Sequence, residues 1–74
     1  MIKCKLNEDI DVFDFTVYTY NLLKRNEVRT VADFIVVMNY PQKKFSRFCN
    51  KALIGKNSKK EMSEAYDKIN IVLE

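Results

Sequence analysis

The 74-residue sequence contains no histidine and has only one glycine, one proline and two cysteines. Without histidine, the commonest general base and the usual nitrogen ligand of catalytic zinc are both missing. Serine and cysteine triads that depend on histidine are excluded for the same reason. A single glycine cannot form a glycine-rich phosphate loop. We therefore expect a protein that is not an enzyme and that uses no cofactor.

An alternating run of acids near the N-terminus is the one feature that suits an enzyme. Asp9, Asp11 and Asp14 could bind a metal ion together, but their spacing matches no EF-hand loop and no companion ligand is present. We interpret them instead as part of an acidic N-terminal surface.

The sequence also lacks segments that direct a chain to or across a membrane. No apolar run approaches the ~20 residues of a membrane span, and the first residues, MIKCKLNEDID, contain no apolar signal core. Cys4 and Cys49 form no metal or redox motif, so we expect free thiols in a reducing compartment, with Cys49 in the core. These features predict a cytoplasmic protein with no membrane partner.

The scarcity of glycine and proline predicts helices, because β-hairpins need tight turns. Apolar residues recur at steps of three and four. We predict helices at residues 17–25, at 31 to about 38, from Pro41 onward, and at 59–72. The expected fold is all-α: one domain over residues 1–74, with an irregular segment at 1–14 and a compact bundle of four to five short helices at 15–73. Near the end of the N-terminal segment, residues 10–15 are expected to be irregular or to form one turn of helix, packed by their aromatic side chains.

Three of the predicted helices are preceded by residues typical of N-caps. Thr16 precedes the first helix, and Thr30 precedes the second, with Asp33 three residues further on. Ser58, followed three residues later by Glu61, has the spacing of a capping box and predicts the start of the last helix.

The charges are unevenly distributed along the chain. The net charge is +3, but residues 39–60 contain seven bases and no acid, while residues 1–14 carry −2 and residues 61–74 carry −3. A basic stretch of this kind is typical of a surface that binds a polyanion. The alternative is a solvated surface that keeps a small protein soluble.

The connection around Gly55 lies inside this basic stretch, directly before a predicted helix. A helix N-terminus presents unpaired amides and the positive end of the helix dipole, which suit a phosphate. Residues 53–58, LIGKNS, therefore resemble a helix-hairpin-helix element, which holds a nucleic-acid backbone through main-chain amides. The alternative is an ordinary helix–helix turn with Gly55 as the C-cap. We expect the only glycine at a position where other residues fit badly.

Two segments carry a resemblance to a known family. Residues 13–25, FDFTVYTYNLLKR, and residues 53–61, LIGKNSKKE, match two family motifs in the right order and at the right separation, and residues 28–34 fit the family's second helix. Over about residues 10–73, the chain resembles the C-terminal domain of the bacterial RNA polymerase alpha subunit.

The resemblance implies a four-helix, SAM-domain-like fold closed by a helix-hairpin-helix, and a non-catalytic DNA-binding module of transcription. In the family, the first helix and the hairpin loop contact the backbone and minor groove of A/T-rich DNA. The positions carried over as DNA-binding are Tyr18, Asn21, Leu22, Gly55, Lys56, Asn57 and Ser58. Asp14 and Glu61 are carried over as contacts to protein partners: RNA polymerase, sigma factor or a transcription regulator.

Three positions depart from the family pattern. Tyr18 replaces the arginine that enters the minor groove, Leu22 replaces a cysteine, and Asn57 replaces the second base of the hairpin loop. Each lost contact of the arginine type costs roughly 1–3 kcal/mol, so DNA binding is expected to be weakened. Tyr18 has two interpretations, an exposed DNA contact or an extension of the core.

The departures leave a second function open: a protein-interaction module of the same fold that binds RNA polymerase, sigma factor or a regulator without binding DNA. We expect a monomer in either case. The sequence is compatible with a fragment of a larger subunit and with an independent small protein.

Overall fold

Four short helices and one pair of strands form the fold in this computed structural model, which describes residues 2–72. The elements follow in the order β1 (Ile2–Cys4), a 3-10 turn (Ile10–Phe13), α1 (Val17–Arg25), α2 (Val31–Met38), α3 (Gln42–Ala52), α4 (Lys56–Asp67) and β2 (Ile69–Ile71). The described chain is therefore mainly helical, as predicted, and the bounds predicted for α1 and α2 are confirmed. The radius of gyration is 11.5 Å, close to the roughly 11 Å expected for a compact domain of this length.

The strands contradict two of the expectations. β1 and β2 pair in parallel, with Ile2 opposite Ile69 and Cys4 opposite Ile71, whereas the sequence predicted an irregular start and a helix reaching residue 72. Helix α4 ends at Asp67, and the β-branched residues that follow suit a strand. Residue 73, the last of the predicted helical bundle, lies outside the described residues.

The core is built around the ring of Phe34, which is completely buried. Its centroid lies 4.8 Å from that of Phe13, 5.6 Å from that of Phe15 and 6.5 Å from that of Tyr66. These contacts join the 3-10 turn, α2 and α4, so the irregular N-terminal region is held by its aromatic side chains, as predicted.

Both cysteines are buried and neither forms a disulfide. Cys49 lies in the core, as the sequence predicted, and Cys4 joins it there at the end of β1. Burial raises the pKa of both thiols, so both remain protonated at neutral pH.

The predicted caps of α1 and α2 are confirmed. The Thr16 hydroxyl accepts a hydrogen bond from the amide of Thr19. Thr30 and Asp33 form a reciprocal capping box, in which the Asp33 carboxylate accepts from the amides of Arg29 and Thr30 at 3.2 Å each. These hydrogen bonds lower the pKa of Asp33.

The predicted start of α4 is wrong. The helix begins at Lys56, after Gly55 as N-cap, and Ser58 is a buried residue of its first turn rather than its cap. At φ −83° and ψ −179°, Gly55 has an extended backbone that any residue can adopt, and an added Cβ would meet nothing within 4 Å. The expectation that other residues fit badly at Gly55 is therefore also wrong. Leu53, at φ 59°, adopts the left-handed conformation that ends α3.

Candidate nucleic-acid interface

The start of α1 and the connection between α3 and α4 together line one open surface groove of about 790 Å³. Five of the residues predicted to bind DNA lie there, namely Tyr18, Gly55, Lys56, Asn57 and Ser58. Thr16, Leu53 and Glu61 complete the lining. Two segments about forty positions apart in sequence are thus brought to one surface.

Tyr18 and Leu53 are the exposed apolar residues of this groove. Tyr18 is 65% exposed and Leu53 is 77% exposed, so the interpretation of Tyr18 as a core residue is wrong. The spacing of apolar residues in the third helix predicts that Leu53 faces inward with Cys49 and Ala52, and its exposure shows that this prediction is wrong. Leu53 follows α3 directly, at the position where a helix commonly ends in glycine. This position is the feature that could have indicated its exposure.

Asn21 and Leu22 are not among the residues that line the groove. Leu22 is only 6% exposed and belongs to the core, so its side chain is not available to a ligand at the surface. Asn21 is exposed and follows Tyr18 by three residues. It therefore lies one turn further along the same side of α1 and extends the surface beyond the groove.

The first turn of α4 has no side-chain cap and contains no acid. The first intrahelical bond is made by the amide of Lys59 to the carbonyl of Gly55, at 3.0 Å. The amides of Lys56, Asn57 and Ser58 precede it, at the positive end of the helix dipole. Ser58 as a whole residue is buried.

A hydrogen-bond network joins α1 to α4 beside the groove. The Glu61 carboxylate accepts from the amide of Thr16 at 2.8 Å, from the Thr16 hydroxyl at 3.1 Å and from the Thr19 hydroxyl. The oxygens of Thr19 and Ser58 are 2.8 Å apart. Burial acts to raise the pKa of Glu61, but these hydrogen bonds outweigh it and the pKa is lowered. The one acid that lines the groove is therefore bound within the protein.

The basic stretch surrounds the connection between α3 and α4 on both sides. All seven of its bases are exposed, namely Lys43, Lys44, Arg47, Lys51, Lys56, Lys59 and Lys60. Lys43, Arg47 and Lys51 recur at steps of four and form one stripe along α3. Of these seven bases, only Lys56 lines the groove, and Lys51 lines a separate pocket together with Arg25 and Glu27.

A second, smaller groove of about 240 Å³ lies on the other side of Glu61. The two residues predicted to contact protein partners, Asp14 and Glu61, both line it, together with Glu64 and the rings of Phe13 and Phe15. Acidic and aromatic side chains are therefore combined at this surface.

The acids near the N-terminus do not form a metal site. The Asp9 carboxylate forms a salt bridge with Lys24 and accepts from the Tyr20 hydroxyl at 3.2 Å and from the Asp11 amide at 3.0 Å. The hydrogen bond from Lys24 is the main cause of the lowered pKa of Asp9. Across residues 2–72, no three side chains of the acidic and cysteine types are grouped to hold a metal ion.

Within the described part of the chain, none of the helices combines the length and the apolar character needed to cross a membrane. Comparison with models of known families, with curated proteins and with solved structures found no match to this chain.

Proposed function

We propose that the chain is a non-catalytic DNA-binding module of transcription, of the kind its sequence resembles, the C-terminal domain of the RNA polymerase alpha subunit. It acts as a monomer in the cytoplasm. A phosphate of A/T-rich DNA binds the first-turn amides of α4, and Lys56 adds its charge. Helix α1 presents Tyr18 and Asn21 to the adjoining minor groove.

The observation that carries this proposal is the convergence of Tyr18 with residues 55–58, including the base Lys56, in one groove. Main-chain amides at a helix N-terminus bind phosphate without regard to sequence. Tyr18 carries no charge at neutral pH, so it lacks the attraction of an arginine for the minor groove. We therefore expect weak binding that falls steeply as salt rises.

A titration with a short A/T-rich duplex, followed by NMR at two salt concentrations, tests the proposal. The amides of residues 54–58 and of Asn21 are expected to shift at low salt. The matched pair Lys56→Ala and Lys56→Pro separates the side chain from the amide, because proline is well tolerated at the first helical position but has no N–H. We expect a further loss of affinity in Lys56→Pro.

Charge reversal supplies the control. Lys56→Glu and Lys3→Glu change the net charge equally, but Lys3 lies on β1, which pairs with the strand that follows the far end of α4. Only Lys56→Glu is expected to abolish the amide shifts. Equal loss in both variants, or no shift in the wild-type protein, would contradict the proposal.

The second groove favours a second candidate function, a module that binds RNA polymerase, sigma factor or a transcription regulator without DNA. Asp14 and Glu64 offer negative charge beside the aromatic rings of a groove that Lys68 also lines, and this combination suits a basic and partly apolar partner. Retention of RNA polymerase holoenzyme by the immobilised protein tests this function. Asp14→Asn should reduce retention and Asp11→Asn, an exposed acid outside the groove, should not. Retention of no polymerase subunit would rule the function out.

A further inference from the structure

Two exposed apolar side chains face the groove that we propose for nucleic acid. Tyr18 and Leu53 come from different elements, and the side chains beside them are polar, including those of Thr16 and Lys56. Single exposed apolar residues are common on proteins. Here, however, an aromatic and an aliphatic residue meet next to amides that have no side-chain cap.

The backbone of Leu53 adds a second, independent observation. Its φ of 59° and ψ of 36° lie in the left-handed region, which leucine adopts only under strain and which glycine adopts freely. The only glycine in the chain stands two residues later, at a position that does not require it. Leu53, which is 77% exposed, thus occupies a strained backbone conformation that glycine would adopt without strain. Asp14 and Glu27 also have a positive φ, but neither is a large exposed apolar residue as Leu53 is.

We propose that the groove binds one unpaired nucleotide of a single-stranded nucleic acid. The base stacks on the ring of Tyr18 and contacts Leu53, and its phosphate binds the first-turn amides of α4 beside Lys56. This inference rests on the proposed nucleic-acid binding and adds that the bound strand is single rather than part of a duplex. The groove, at about 790 Å³, falls in the range of sites that enclose small organic ligands.

The difference between a duplex and a single strand supports a single-stranded ligand. In a duplex the base faces are stacked within the helix, so an aromatic ring at the surface meets mainly sugar and phosphate. Single strands offer their base faces, and proteins that bind them combine a positively charged groove with aromatic stacking. Lys56 supplies positive charge in the groove, and Glu61, the acid of the groove, is held by Thr16 and Thr19.

Fluorescence anisotropy of the whole chain with labelled single-stranded oligothymidine and with an A/T-rich duplex of equal length tests the proposal. The single strand is expected to bind more tightly at the same salt concentration. Tyr18→Ala should weaken single-strand binding roughly 5- to 150-fold, the range for loss of one stacked base. Tyr18→Phe keeps the ring and should stay within about twofold of the wild-type affinity.

Leu53→Gly should also weaken binding to the single strand. Val36→Ala is the matched control, because Val36 is 57% exposed but does not line the groove, and it should bind as the wild-type protein does. Circular dichroism establishes that each variant is folded. Upfield shifts of base protons on binding would report stacking on Tyr18 directly.

The outcomes separate this inference from the proposed function. Tighter binding of the duplex, with no effect of Tyr18→Ala on single-strand binding, would overturn the inference and leave DNA binding intact. Single-strand binding that depends on Lys56 but not on Tyr18 would also overturn it. Absence of binding to either probe at low salt would overturn both proposals.

Discussion

The Glu61 carboxylate accepts a hydrogen bond of 2.8 Å from the backbone amide of Thr16, which lies 45 residues earlier in the chain. An acid from α4 therefore binds at the N-terminus of α1, where a negative charge is favoured by the helix dipole. The same carboxylate fixes α1 against α4 at the edge of the groove. Its charge is engaged inside the protein rather than presented to an anionic ligand.

We expect the stability of the protein to fall in acid because of this contact. The pKa of Glu61 is lowered by folding, so its stabilising effect is complete above the unfolded pKa, about 4.3, and is lost as pH falls through the folded pKa. Asp9 and Asp33, whose pKa values are also lowered, act in the same direction. Thermal unfolding followed by circular dichroism should give a nearly constant Tm from about pH 7 to 5 and a decline below about pH 4.5.

The variant Glu61→Gln isolates one part of this effect. It should lower the free energy of unfolding at neutral pH by roughly 0.5–1.5 kcal/mol, the net contribution of a hydrogen bond, because both contacts of Glu61 with Thr16 are exposed, and it should flatten the acid decline. Glu64→Gln, an exposed acid on the same helix, is the control and should change little. An unaltered pH profile in Glu61→Gln would show that the contact is unimportant.

The substitution Gly55→Ser should stabilise the protein and weaken its binding to nucleic acid. A serine at the N-cap accepts from an amide of the first turn, which gains roughly a few tenths of a kcal/mol over glycine, and its Cβ meets nothing within 4 Å. The same hydroxyl occupies donors that we assign to phosphate. Chemical denaturation and anisotropy measure the two effects.

Gly55→Ala is the matched control for this substitution, because it adds the Cβ without the hydroxyl. We expect it to leave the amides accessible and to give no gain from capping. If the Gly55→Ser protein is stabilised but binds DNA as tightly as the wild-type protein, the phosphate does not bind the first-turn amides of α4.

Loss of the α2 cap should destabilise the protein without affecting the groove. Thr30→Ala removes the hydroxyl that accepts from Asp33, and we expect a loss of about 1 kcal/mol in the free energy of unfolding. Thr30→Ser retains the oxygen and should retain most of the stability. Urea denaturation provides the measurement, and equal stability of Thr30→Ala and the wild-type protein would contradict it.

Relief of strain at the end of α3 should raise stability. Leu53→Gly removes the left-handed penalty of about 1–2 kcal/mol, offset by roughly 0.5–1 kcal/mol of added backbone entropy in the unfolded chain. We expect a net gain between about 0 and 1.5 kcal/mol. Leu53→Ala keeps the strained conformation and should show no gain, so urea denaturation of the pair distinguishes backbone strain from loss of the side chain.

The parts of the fold that follow from local chemistry could be predicted from the sequence. Thr16 and Thr30 are caps that act within one turn, and both α1 and α2 begin where they indicate. The Ser58 and Glu61 spacing misled because each side chain bonds to α1, a distant segment that no local motif reveals. The isoleucine at 69 fits a helical stripe and a strand equally, and only its pairing with β1 decides between them.

The candidate site was predictable to the extent that a sequence resemblance could relate its two distant halves. Tyr18 and residues 55–58 were named from motifs, and the structure places them in one groove. Leu53 was predicted to face inward, and this was wrong because α3 ends at Ala52 and Leu53 leaves the helical register in a left-handed conformation. Leu22 was named from a motif but is buried on the inner side of α1. A match to a motif therefore does not establish that a side chain is exposed.

The parallel pairing of β1 with β2 has a consequence for the order of folding. Ile2 and Ile69 meet across almost the full length of the chain, so closing this ladder costs more loop entropy than any helix does. The helices must first draw the two strands together. We expect the strand amides to be the last to gain protection from hydrogen exchange during refolding, after those of α1.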